Sequence, residues 1–161
     1  MNLIDCSYFY NGPLAIENAR PTDDLDNNAF AVQEAINGYI EYYQDEFLRN
    51  MVGDTLAAVM KQHLDTNGVD VMLTDLCERL RMPFAHYVYF KMVGDVNQTM
   101  TVTGLMRLKS SNDNQPPRQR MVSVWNHMVE LNKQFVKWAE TSDFEVYYRV
   151  NMVTPINQFN I

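Results

Sequence analysis

A chain of 161 residues, 47% of them apolar, is long enough to build one domain around a single core. Its formal charge of −7 excludes a general nucleic-acid binder, which needs a net basic footprint. No apolar run approaches bilayer-spanning length, and no basic stretch followed by an apolar one opens the chain. The expectation is a soluble protein without membrane anchor or secretion leader, made and used in a cytoplasm.

In chain order, residues 1–26 read as an irregular N-terminal arm, interrupted by Gly12, Pro13 and Pro21 and carrying Tyr8, Phe9 and Tyr10. Asp26, Asn27 and Asn28 offer side-chain oxygens to cap a first helix. From there Val32, Ile36, Tyr39, Ile40, Tyr43 and Phe47 recur at helical spacing, with Glu34, Glu41 and Asp45 on the opposite face and Gly53 as the stop. A second helix over 54–64 points Leu56, Val59, Met60 and Leu64 inward, and Asn67-Gly68 turns the chain. A third over 69–80 presents Val69, Leu73, Leu76, Cys77 and Leu80. Pro83 ends that pattern and suits the first turn of a fourth helix over 83–93, apolar nearly all round and therefore central.

Beyond residue 96 the helical period stops. Thr99, Thr101 and Thr103 alternate with Met100 and Val102, which predicts a short β-hairpin or extended arm over 97–109, and Ser110 to Pro117 reads as a loop. The last helix, over 118–140, has one stripe of Met121, Val124, Trp125, Met128, Leu131, Phe135 and Trp138, with Glu130, Lys133 and Lys137 opposite. The tail over 142–161 is extended. Its Val146, Tyr148, Val150 and Met152 alternate like a strand with no evident partner in the chain, and Pro155 excludes a helix. The fold class is mainly α: a single domain over 1–161, a bundle of about five helices with a hairpin or arm at 97–117 and extended N- and C-terminal arms.

Residue types that carry chemistry are present but not grouped. Cys6 and Cys77 form neither a disulfide framework nor a metal-ligand spacing, and read as free thiols. His63, His86 and His127 fall on three different helices, none with a second ligand three or four residues away, so no metal site is expected. No GxSxG, GxGxxG or Walker loop is present, and the acids at 23–26 lack the alternation and glycine of a calcium loop. The expectation is no enzyme, no cofactor and no metal. Eleven methionines, nine tyrosines and long arms point instead to protein–protein contact.

Charge is segregated. Glu17, Asp23, Asp24, Asp26, Glu34, Glu41, Asp45 and Glu46 crowd the first part of the chain, whereas Arg107, Lys109, Arg118 and Arg120 crowd a later segment. Two solvated faces would look the same. As a subunit interface, the candidates are Glu34, Glu41 and Asp45 on one side and Arg107, Lys109, Arg118 and Arg120 on the other, with Tyr148 and Val150 on the tail.

Four segments carry a resemblance: residues 6–19 (CSYFYNGPLAIENA), 43–53 (YQDEFLRNMVG), 85–91 (AHYVYFK) and 124–132 (VWNHMVELN). In that order they resemble small head–tail connector (adaptor) proteins of tailed phages of Bacteroides-type gut bacteria, over most of residues 5–140. The resemblance implies a helical bundle whose copies form a ring, a dodecamer, under the portal at the head–tail junction of the virion. Such a ring extends the DNA channel without binding DNA specifically and receives the next neck or tail protein. A weakly polar or acidic channel wall lets DNA slide. The alternative from the residues alone is a cytoplasmic helical regulatory or enzyme-accessory subunit acting as a dimer.

Overall fold

The computed structural model describes residues 1–21, 27–99, 117–157 and 159. Among the described residues it holds four α-helices and no strand: α1 Asn27–Val52, α2 Asp54–Asp65, α3 Val71–Thr99 and α4 Pro117–Ala139. Mainly α is therefore the fold class. The expected hairpin lies outside the described residues, save that 97–99 close α3.

α1 buries the stripe read from its sequence, Val32, Ile36, Ile40 and Phe47, while Tyr39 and Tyr43 are half-buried beside it. Gly53 ends the helix at φ +83°, a conformation costly for any residue with a Cβ. Its bare Cα also leaves room for Tyr147, whose Cβ would stand 3.1 Å from a Cβ placed there. α2 then buries Ala57, Met60 and Leu64. Val59, expected inward, is 43% exposed, because the true stripe runs 57, 60, 64 and Val59 lies off it. Asp70 caps α3 by accepting from the N–H groups of Met72 (2.9 Å) and Leu73 (3.1 Å). Val69, ahead of that cap, is 95% exposed rather than inward.

The third and fourth predicted helices are one. α3 passes through Pro83 without a break, so the described bundle has four helices where about five were expected. A proline inside a helix costs about 3 kcal/mol through its missing N–H and its clash with the preceding turn. Here Leu80, Phe84, Ala85, Tyr87 and Val88 are all buried around it. Each large apolar side chain so buried returns about 1.5–3 kcal/mol, which outweighs one lost bond. α3 is the central helix, as its all-round apolar pattern implied, and α4 packs along it.

Neither terminal segment is a free arm. Residues 1–21 make two short 3-10 turns, Cys6–Phe9 and Gly12–Leu14, and bury Leu3, Ile4, Phe9, Leu14, Ile16 and Ala19 against the helices. The Leu3 N–H donates to Oε1 of buried Gln44 on α1 at 2.5 Å. The tail, expected to lack an internal partner, runs back over the body. Trp125 Nε1 donates to the Thr154 carbonyl (3.0 Å) and Asn132 Nδ2 to the Met152 carbonyl (2.7 Å). Asn126 brackets Ile156, its Nδ2 donating to the carbonyl (3.0 Å) and its Oδ1 accepting from the N–H (2.8 Å). Met152, in a 3-10 turn over Val150–Val153, is fully buried. The two segments cover part of the apolar surface of α1, α3 and α4 from within the same chain.

Candidate interaction surfaces

The outer face of α1 is uncovered among the described residues. Phe30, Ala31, Glu34, Ala35, Gly38, Glu41 and Tyr42 are exposed. At 100° per residue they share an arc of about 140°. Phe30 and Tyr42 are 57% and 76% exposed. A Cβ added at Gly38 would meet nothing, so the face has a shallow centre between two aromatic rings. Glu34 and Glu41 make no ion pair among the described residues, whereas Asp45 is held by Lys61 at 2.7 Å.

The basic candidates divide. Arg107 and Lys109 lie outside the described residues. Arg118 is exposed in the first turn of α4. Arg120 is turned inward, donating to the Pro13 carbonyl and lying 5.5 Å from the Tyr89 ring centroid. Tyr148 and Val150 are 40% and 74% exposed on the tail. Within one chain, then, Asp45 and Arg120 already have partners, and Glu34, Glu41, Arg118, Tyr148 and Val150 face outward.

Sequence reasoning missed an aromatic cluster where α1 meets α3. Tyr43 packs edge-on against Tyr42 (4.8 Å) and Tyr87 (6.1 Å). Lys91 sets its ammonium 4.8 Å from the Tyr43 centroid and 5.1 Å from that of Tyr87, and 3.5 Å from Glu46 Oε1. The Tyr87 hydroxyl donates to the same oxygen at 2.5 Å. Burial first, and then that bond to Glu46, push the Tyr87 phenol well up, so it stays a donor at any ordinary pH. The box is filled by the protein's own cation, and its work is to join two helices. The signal was present, since Tyr43, Glu46, Tyr87 and Lys91 sit at helical spacing, but only the fold shows which helices meet.

A groove of about 450 Å³ between α1 and α2 is lined by Asp45, Arg49, Asp54, Ala57 and Lys61. Its charges pair across it, Asp45 with Lys61 and Arg49 with Asp54 (3.7 Å), which leaves no free charge to hold a ligand. Cys77 is buried, its thiol pushed up to about 11 by desolvation, and unsuited to act as a nucleophile. Among the described residues no three His, Cys, Asp or Glu side chains converge on a metal position, and no helix is long and apolar enough to cross a membrane.

His86 and His127 meet across α3 and α4 with ring centroids 4.8 Å apart. The His86 Nδ1 lies 2.8 Å from the Met82 carbonyl oxygen, which can only accept, so Nδ1 carries the proton. Burial holds His86 below its ordinary 6.5, with smaller contributions in that direction from His127 and Arg120, while the bond to Met82 works the other way. Between the folded and unfolded values the unfolded chain binds more protons. This contribution to stability is complete above pH 6.5 and falls as pH drops towards the folded value. Urea unfolding at pH 7.5, 6.5 and 5.5 should show stability falling with pH, and His86→Gln should flatten that slope. An unchanged slope in the variant would assign it to other groups.

No protein-family model matches this chain, and no curated protein or solved structure matches it.

Proposed function

We propose that the chain is a structural protein that works by docking against other protein chains, and that its specific place is in a ring-forming head–tail connector of a tailed phage. In this reading its copies form a ring at the head–tail junction of the virion, extend the portal channel around unbound DNA, and receive the next neck or tail protein. The observation that carries docking is the outer face of α1, where two exposed aromatics flank small residues beside two acids that make no ion pair among the described residues. Exposed aromatics grouped on one helix face favour a protein contact over solvation. The connector assignment rests on the four ordered segments that resemble that family.

A head-to-tail ring needs two different patches that meet on successive copies. The acidic α1 face supplies one; Arg118, exposed in the first turn of α4, belongs to the other. Such charges set register and encounter rate more than affinity, over a Debye length of about 8 Å at physiological salt. Mass photometry and negative-stain imaging of the full chain, alone and with portal protein, should show closed rings many times the monomer mass. Phe30→Ser with Tyr42→Ser, or Glu34→Lys with Glu41→Lys, should abolish the rings and leave the helical circular-dichroism signal intact. Wild-type protein that never exceeds a dimer and ignores portal, or face variants that form rings as wild type does, would remove the reading.

A further inference from the structure

Residues 144–149 follow the bend after α4 in an extended course with two unlike edges. On one edge the Tyr147 N–H donates to the Val52 carbonyl (3.4 Å) and the Arg149 N–H to the Asn50 carbonyl (2.8 Å). Those acceptors belong to the last turn of α1, whose carbonyls have no intrahelical donor. Because N–H groups alternate along an extended chain, those of Val146 and Tyr148 point the other way. Among the described residues neither donates to anything. Tyr147 and Tyr148 are 64% and 40% exposed, whereas Phe144 and Val146 are half-buried against the core. Glu145 and Arg149 are also exposed and make no ion pair among the described residues, although Glu145 accepts from the Tyr147 hydroxyl of its own chain, a solvent-exposed bond that a salt bridge to Arg149 of a second copy would share or replace.

We propose that this open edge is a self-association site, where 144–149 pairs antiparallel with the same segment of a second copy about a two-fold axis at Tyr147. The pattern of outward N–H groups limits the register. Residues 146 and 148 must exchange backbone bonds with their counterparts, so 146 stands opposite 148, opposite 146, or, in the third register, 148 stands opposite 148. Charge then selects one of the three. With 146 opposite 148, Glu145 faces Arg149 of the other copy, Arg149 faces Glu145, and the two Tyr147 side chains meet at the axis. With 146 opposite 146, Glu145 faces Tyr147 and Arg149 finds an acid only in Asp143, in the bend outside the paired segment; with 148 opposite 148, Arg149 faces Tyr147 and Glu145 faces Asn151, so neither register pairs Glu145 with a base. Cross-strand pairs of opposite charge and of aromatic rings are the pairs that favour a strand ladder. The occupant is thus a second copy of this chain, because the segment is complementary to itself under a two-fold rotation.

This contact closes at two copies, so it is independent of the head-to-tail contact that a ring would use. The α1 face variants should leave it unchanged, which separates failure of this proposal from failure of the ring reading. The test is sedimentation velocity of the full chain from roughly 1 µM to 1 mM, a range suited to so small an interface. Glu145→Arg alone, or Arg149→Glu alone, sets like charges opposite twice and should weaken dimerisation at least about tenfold. The double exchange E145R/R149E restores both pairs and should return it to within about threefold of wild type. Tyr148→Pro removes one outward N–H and leaves those of 147 and 149 in place, and should abolish the dimer, whereas Tyr148→Ala keeps the N–H and retains it. Circular dichroism confirms that each variant is folded. A wild-type chain that stays monomeric at 1 mM makes these charges a guard on an exposed edge and overturns the proposal. So does a Tyr148→Pro dimer as tight as wild type, or a double exchange that rescues nothing.

Discussion

Truncation after Ser142 is expected to lower the melting temperature by at least about 10 °C, because it strips the core and not merely an appendage. Met152 is fully buried, and losing a side chain of that size from a core costs about 2–5 kcal/mol. Asn132 would lose the carbonyl that accepts from its amide, a bond with a net worth of about 0.5–1.5 kcal/mol. Asn126 and Trp125 lose partners as well. Even the lower ends of these costs are a large share of the about 5–15 kcal/mol that stabilises an ordinary domain. Thermal and urea unfolding of the 1–142 chain beside the full chain decide the matter. A melting temperature within about 3 °C of wild type would mean that the tail rests on the body without holding it, as its strand-like alternation first suggested.

Whether a feature was legible in the sequence depended on how far away its partner lay. α1 and α4 could be read because their apolar stripes, Val32 to Phe47 and Met121 to Phe135, repeat within the helix itself. Pro83 was misread because the local rule for proline takes no account of the buried neighbours that carry α3 through it. The tail was misread for a related reason. Its partners are side chains on α4, Trp125, Asn126 and Asn132, and carbonyls of α1, Asn50 and Val52, all of which bind the tail's backbone and leave no mark on its own residue pattern. The same holds for the candidate surface. Helical spacing correctly placed Glu34 and Glu41 on the outside, but nothing in the sequence shows that Lys61 holds Asp45 or that Arg120 turns to Pro13.

Trp125→Ala should destabilise the monomer by about 3–5 kcal/mol, the range for a large aromatic removed from a core. Trp125 is 9% exposed on the α4 stripe. Its ring packs 4.8 Å from Phe90 and 6.3 Å from Tyr87 on α3, so the substitution opens a gap along the contact between those two helices. It also removes the indole N–H that binds Thr154, loosening the tail at the same point. Trp125→Phe separates the two roles. Phenylalanine keeps most of the apolar area and only the Thr154 carbonyl loses a donor, so about 1–2 kcal/mol is expected from it. Equilibrium urea unfolding followed by circular dichroism at low micromolar concentration, where any dimer is dissociated, reads both changes. If alanine costs less than about 1 kcal/mol, Trp125 does not serve the core and the packing of α4 on α3 rests on Met128 and Val129 instead. If phenylalanine costs as much as alanine, the bond to Thr154 dominates, and the tail contributes more to this part of the fold than ring packing does.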